Sequence, residues 1–195
     1  MDRLKLEFPT MARKEDAIEY IEEFYNKGSK INGTGGLYRY MDDYAGWIEK
    51  INEDLNKEPD EERVPAETYF LVRESDNKIV GMINVRLALN HKLWNYGGHI
   101  GYSVRPSERR KGYNKINLYL ALCVCANRGL EAVLLDCDKE NFGSSKTMQA
   151  LGGRMIYEYF DSEKNITIQN YVIDVQESLT KNKELFSGMI AEYPD

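Results

Sequence analysis

The succession of periodicities along the chain predicts an α/β protein: a mixed central sheet of about seven strands, flanking helices and a C-terminal tail helix. Three observations carry this. Runs with two-residue alternation and runs with helical spacing follow one another from Leu4 to Val175. Two pairs of strand-like runs are joined by short turns, at Asp76-Asn77 and Asp161-Ser162-Glu163-Lys164, which makes hairpins. Elsewhere a helical run separates two strands, which makes crossovers. With 195 residues, 42% hydrophobic and 30% charged, the chain can bury a proper core. Residues 1–175 read as one domain and 176–195 as a helical extension.

Taken in order, Leu4, Leu6 and Phe8 alternate with charged residues as a half-buried strand, which Pro9-Thr10 ends. Ile18, Ile21, Phe24 and Tyr25 fall at helical spacing between Lys14 and Lys27. The stretch from Gly28 to Gly36 is a flexible loop. A second helix follows, with Asp42 and Asp43 at its positive end and Tyr44, Trp47, Ile48, Ile51 and Leu55 on one face. Asn56 to Arg63 is charged and holds Pro59, hence a surface loop. Thr68 to Glu74, Lys78 to Leu89 and Gly98 to Val104 are strands, the last stopped by Arg105-Pro106. Tyr113 to Arg128 is helical and ends at Gly129. Ala132 to Cys137 is a buried strand, and Phe142 to Leu151 a short helix ending at Gly152-Gly153. Met155 to Phe160 and Ile166 to Val175 form a hairpin. The tail helix spans Gln176 to Tyr193, with Phe186, Met189, Ile190 and Tyr193 as its apolar side.

Composition narrows the function. Lys+Arg number 26 and Asp+Glu 32, a net charge of −6, which argues against broad nucleic-acid binding. The most apolar run, Ile79 to Leu89, is interrupted by Arg86 and too short to cross a bilayer, so no membrane partner is expected. Three cysteines, an odd number, fit a reducing cytoplasm, and no signal peptide is expected before the first strand. Cys123, Cys125 and Cys137 have no zinc-like spacing with the two histidines; they are core thiols and no metal is expected.

One segment carries chemistry. After the strand ending at Val104, a basic loop holds Arg109, Arg110, Lys111 and Gly112, and a helix starts at once with Tyr113 and Asn114. The N–H groups of Arg110 to Asn114 would stand at the unsatisfied helix start, where the dipole favours an anion. Gly112 lets a phosphate approach the main chain. These features describe a diphosphate site; taken without their flanks, they also fit a solvated turn.

With its flanks, this segment resembles the cofactor motif of the GNAT superfamily of N-acetyltransferases, in particular a bacterial branch. That motif reads Gln or Arg, two variable positions, Gly, one variable position, then Gly or Ala; here it is Arg109-x-x-Gly112-x-Asn114, with Asn in the last place. Gly98-His99-Ile100-Gly101-Tyr102-Ser103-Val104-Arg105-Pro106 is typical of the same branch. Asp138 to Ser144 and Leu151-Gly152-Gly153 resemble the second cofactor segment, and the element order matches from Leu4 to about Val175. The resemblance implies acetyl-CoA as donor. Its pyrophosphate would lie on the Arg110 to Asn114 amides, with Arg109, Lys111 and Tyr113 around it. Its pantetheine arm would pair with main chain at Tyr102, Ser103 and Val104, between two diverging strands. Asn141 and Ser144 would meet the arm or cap the short helix.

The acid and base that many family members use have no counterpart. The family's acidic Tyr falls at Met148, and the Glu base of the histone-modifying branch falls at Gly98. His99 is the nearest group of suitable pKa, but strand alternation turns it to the opposite face, a structural or rim position. Glu67 could reach the acceptor through water or lie in an exposed loop. Arg86 could line the acceptor pocket or face solvent. His91 sits in a polar turn. Gly101-Tyr102-Ser103-Val104-Arg105 lacks the second Gly of an esterase elbow, and Gly33-Thr34-Gly35-Gly36 lacks the strand and Lys of a nucleotide loop. The latter reads as part of an acceptor lid. Tyr38, Tyr40, Tyr44 and Trp47 nearby enclose an amine or bury the helix.

The expected activity is acetyl transfer from acetyl-CoA to a primary amine of a small molecule or peptide, by direct attack in a ternary complex. The competing expectation is a noncatalytic CoA-binding sensor that kept the groove and lost the acid and base. The tail helix is expected to dock, on its own domain or on a second copy in a homodimer.

Overall fold

A computed structural model describes residues 2–194. The strands are β1 (Leu4–Glu7), β2 (Ala66–Arg73), β3 (Lys78–Arg86), β4 (Ile100–Val104), β5 (Ala132–Asp138), β6 (Arg154–Asp161) and β7 (Ile166–Asp174). The α-helices are α1 (Lys14–Asn26), α2 (Tyr44–Asp54), α3 (His91–Asn95), α4 (Tyr113–Asn127), α5 (Phe142–Ala150) and α6 (Val175–Ser187). None of them is long and apolar enough to cross a membrane.

The seven strands divide into two sheets, β1-β2-β3-β4 and β5-β7-β6, and every ladder within them is antiparallel. The crossover neighbours expected to add parallel pairing, β4 and β5, splay apart. They touch just ahead of β4, where the His99 N–H donates to the Leu134 carbonyl (2.7 Å) and the Leu134 N–H donates to His99 Nδ1 (3.0 Å).

Two apolar layers cover the larger sheet. Tyr20, Ile21 and Phe24 of α1 and Trp47 of α2 pack on Phe70, Val72, Ile79 and Met82. On the other face α4 is buried nearly all round, with Leu118, Leu120, Leu122 and Val124 fully covered by Leu71, Val80, Ile83 and the inner face of β5. A helix apolar on every side belongs in the middle of a fold. α4 therefore has a fixed position, and so does the loop that leads into it.

Several boundaries differ from the sequence expectation. β2 starts at Ala66, which carries Glu67 into a strand. β4 starts only at Ile100, because Gly97 and Gly98 have φ of 109° and 56° and break the ladder. His91, expected in a polar turn, opens the short helix α3, capped where Asn90 Oδ1 accepts from the Leu93 N–H (2.9 Å).

The tail docks on its own domain. α6 begins one residue early, capped by Asp174 on the Glu177 N–H (2.8 Å), and stops at Ser187. Phe186 packs on Tyr119 with ring centroids 4.9 Å apart. Beyond the helix, Ile190 lies beside β1, where the Leu4 N–H donates to Met189 O (2.9 Å) and the Ala191 N–H to Leu4 O (2.8 Å). Tyr193, expected on the buried side, stays half exposed.

Candidate functional site

The strand-loop-helix from β4 to α4 forms one wall of a cavity of about 530 Å³ that reaches α5 and the loop at Ser29, Lys30 and Asn32. Tyr102, Ser103, Val104, Arg109, Arg110, Gly112, Tyr113, Asn114, Asn141 and Ser144 all line it, so nearly all the residues singled out for the cofactor converge on one cavity. Lys111 is the exception: it does not line it.

The loop is held from behind. Arg105 is buried, donating from Nε to Ile79 O (2.9 Å) and from Nη1 to Glu19 (2.9 Å) and Glu23 (3.3 Å). Glu108, also buried, receives Arg73 (2.8 Å), Lys78 (3.3 Å) and Lys111 (2.7 Å). Burial raises its pKa, but the bonds from Lys111 and Arg73 outweigh that and bring it down to about 2.

The three basic residues have separate tasks. Lys111 is spent on Glu108. Arg109 donates to Ser29 Oγ (3.1 Å) and Val104 O (3.3 Å) and lies over the Phe24 ring, so it ties the loop to the Gly28–Gly36 segment. Arg110 is exposed and has no hydrogen bond or ion pair among the described residues. It holds φ at +65°, and Gly112 follows at +85°.

The N–H groups of Arg110, Lys111, Gly112, Tyr113 and Asn114 find no acceptor among the described residues. A Cβ added at Gly112 would meet nothing within 4 Å. The buried Oδ1 of Asn114 has no partner among the described residues, while its Nδ2 donates to Thr147 (3.3 Å). Successive free amides at a helix start, in open space and beside an unpaired guanidinium, can hold a diphosphate.

The edge of β4 that faces β5 carries one hydrogen bond among the described residues. The ladder commits Gly101 and Ser103 to β3 and turns the N–H and C=O groups of Tyr102 and Val104 toward the gap. Of these, Val104 O takes Arg109. An amide-bearing chain can lie along such an edge. Asn141 caps α5, its Oδ1 accepting from the Ser144 N–H (3.2 Å), and Ser144 Oγ pairs with the Tyr102 hydroxyl (2.7 Å). Tyr113 faces the core, its hydroxyl bonded to Arg73 (3.0 Å) and Asp2.

A second cavity, about 410 Å³, opens on the other side of the Gly28–Gly36 loop, and Asn32 lines both. Asn32 O accepts from Ser103 Oγ (2.5 Å), which also bonds the Tyr20 hydroxyl (3.0 Å). The segment read as an acceptor lid thus separates the two cavities. Arg86 lines the second one. Lys50, Asp54 and Arg63 line it too, and nothing in the sequence alone marks those three.

The two titratable candidates lie outside both cavities. Glu67 is not an exposed loop residue: it is buried in β2 on the α4 side, bonded to the Tyr69 hydroxyl and to Arg128 Nε (2.6 Å). His99 is the pin between β4 and β5; burial and then the Arg86 charge push its pKa down to about 4. Met148 is fully buried in the core. Gly98 admits no side chain, since a Cβ there would lie 2.2 Å from Leu134 O. Burial raises the pKa of Cys137 to about 11.

Several solved structures share this fold. Mycobacterium smegmatis RimJ, in complex with CoA-disulfide, is similar over 93% of this chain and 92% of its own, with TM-score 0.69 and 13% identity. The ribosomal-protein-S5-alanine acetyltransferase of Vibrio fischeri is similar over 91% and 96%, with TM-score 0.66 and 13% identity. Forms of the spermidine/spermine N-acetyltransferase SpeG of Vibrio cholerae are similar over 92% and 98%, with TM-score 0.62 and 11% identity. No curated protein sequence matches the chain. A family profile, the Acetyltransferase (GNAT) family, matches residues 17–152, from inside α1 to the glycine after α5. That is well over half of the sequence and includes both cavity-forming loops, so the chain belongs to the Acetyltransferase (GNAT) family.

Proposed function

We propose that the protein transfers the acetyl group of acetyl-CoA to a primary amine by direct attack, with both reactants bound together. The observation that carries this reading is the run of five unpaired amides from Arg110 to Asn114, continuous with the edge of β4 that faces β5. Acetyl-CoA supplies the acetyl group as an activated thioester. The Arg110 to Asn114 amides and the Arg110 guanidinium bind its pyrophosphate. The free Tyr102 N–H and C=O and the Val104 N–H align the pantetheine arm, and Asn141 and Ser144 close the other side. Main chain near Tyr102 to Val104 would polarise the thioester carbonyl.

Neither family position supplies an acid or base, since Met148 is in the core and Gly98 has no room. The chain contributes chiefly position: the acceptor enters the second cavity and meets the thioester at the Asn32 seam. The neighbours act on amines of very different kinds, a protein's alanine in one and spermidine or spermine in another. Calorimetric titration with acetyl-CoA, followed by thiol release across an amine panel, tests the reading. One-to-one binding with amine-dependent release is expected. Binding without such release would leave a CoA-binding module, and no binding would remove the assignment.

A further inference from the structure

Arg86 ends β3 on the wall of the second cavity, close to Gly33, the residue after Asn32. Its Nη1 donates to Gly97 O (2.7 Å) and Gly98 O (2.8 Å), and its own N–H to His99 O (2.7 Å). The side chain is thereby fixed from one edge. The other edge is not engaged: Nε and Nη2 have no hydrogen bond, and the residue has no ion pair, among the described residues. Nη2 lies against Gly101, where a Cβ would come within 3.3 Å of it, and the backbone of Gly33 closes the same spot at 3.4 Å. Asp136 is the acid that acts on Arg86, and it is engaged with the Gly97 N–H (2.9 Å). Burial lowers the pKa of Arg86, the sign of a charge short of solvation and counterions.

The rest of the cavity has the same sign. Arg39, Lys50, Arg63 and Arg86 line it against Asp54 and Glu62. Asp54 pairs with Lys50 Nζ (2.6 Å) and Arg63 Nη2 (2.6 Å) and Arg63 also with Glu53 (3.3 Å), which leaves Arg39 and Arg86 as the lining cations with no ion pair among the described residues. Glu62 is exposed, on the rim. A polycation would meet net repulsion here. An anion would find a planar guanidinium edge, already oriented and open to the cavity.

Resting on the acetyl-transfer reading above, we propose that the acceptor is an amine that carries a carboxylate one or two carbons away, as a free amino acid does, and that Arg86 binds that carboxylate through Nε and Nη2. Nη2 lies against Gly101, next to Tyr102, so the short spacing puts the amine beside the thioester. Pairing with Arg86 cancels the carboxylate's own stabilisation of the neighbouring ammonium and so helps supply the neutral nucleophile. The amine nitrogen bonds to the acetyl carbon, the carbon–sulfur bond breaks, and the proton lost by nitrogen ends on the CoA thiol.

The test compares initial rates of thiol release with free amino acids, the corresponding amino acid amides and spermidine, at saturating acetyl-CoA. The best acid is expected to exceed its amide by about 10–100-fold in kcat/KM, the range of one charge-assisted contact. Arg86→Gln should bring that ratio near one with acetyl-CoA affinity unchanged, and Arg86→Lys should restore part of it. Circular dichroism controls for loss of the Gly97 and Gly98 contacts, and the wild-type ratio stands without any variant. Amides or spermidine used as well as acids, or a ratio unmoved in folded Arg86→Gln, would overturn the proposal while acetyl transfer stands. Failure to bind acetyl-CoA, or binding with no release by any amine, would overturn both.

Discussion

Gly33 crosses β4 so closely at Gly101 that a Cβ on Gly33 would lie 2.3 Å from the Gly101 carbonyl oxygen. Gly33 also has φ of +68°. The wall between the two cavities is therefore backbone resting on backbone, pinned next door where Ser103 Oγ bonds Asn32 O. Gly33→Ala must lift that wall. Strain in the left-handed region costs about 1–3 kcal/mol, so denaturant unfolding should show a loss of that order. Acceptor kcat/KM should fall further than stability accounts for. A variant that keeps full activity would show that the contact is not needed for alignment.

Arg110 gives a cleaner separation of binding from folding. Arg110→Gly relieves a left-handed non-glycine residue and removes the one cation of the loop that has no protein partner among the described residues. Stability should stay level or rise, while acetyl-CoA affinity falls about tenfold. Lys111→Ala should weaken binding less, because Lys111 is engaged with Glu108. The reverse ranking by calorimetry would mean that the phosphates sit on the other side of the loop.

His99 makes stability pH-dependent. Its pKa in the fold is about 4 against an ordinary 6.5, so between those values the unfolded chain binds more protons than the folded one. Its contribution is complete above about pH 6.5 and is lost as pH falls toward 4, by up to ~3 kcal/mol. Protonated Nδ1 can no longer accept from Leu134. His99→Gln should show a shallower fall in unfolding free energy over that interval than the parent. Parallel curves would contradict the assignment.

Phe186 tests the tail. Phe186→Ala opens a hole against Tyr119 and should cost about 3–5 kcal/mol, with acetyl-CoA affinity intact if the protein is assayed well below its melting temperature. No change in stability would mean that the tail is dispensable for the domain.

Much of this was legible because local patterns and tertiary structure agree. The basic loop is contiguous, and its helix start follows from Gly112 alone. The seven strands follow from alternation and turn residues. What was not legible depends on distant partners. Glu67 is unremarkable in sequence; Arg128, sixty-one positions away, and the nearby Tyr69 make it a buried structural group. Arg86 stands out as a charge in an apolar strand, but its role depends on two carbonyls of a glycine pair that arrives from the next loop. Lys111 and Arg110 are neighbours of the same type, and only the position of Glu108 separates the engaged one from the free one. The basic character of the second cavity is assembled from the segment before α2, α2 itself, the loop after it, and β3.

The most direct test of the cofactor site is calorimetric titration of acetyl-CoA into Gly112→Ala and Gly112→Glu side by side, with circular dichroism as the folding control. Both variants carry the same strain at φ of +85°, and a Cβ has open space there. Only the carboxylate enters the region of the free amides and repels a diphosphate. Gly112→Ala should bind within several-fold of the parent. Gly112→Glu should lose at least about a hundredfold, the equivalent of two main-chain bonds to an ionised group. Folded Gly112→Glu protein that binds acetyl-CoA as tightly as the parent would contradict the placement of the cofactor on this loop.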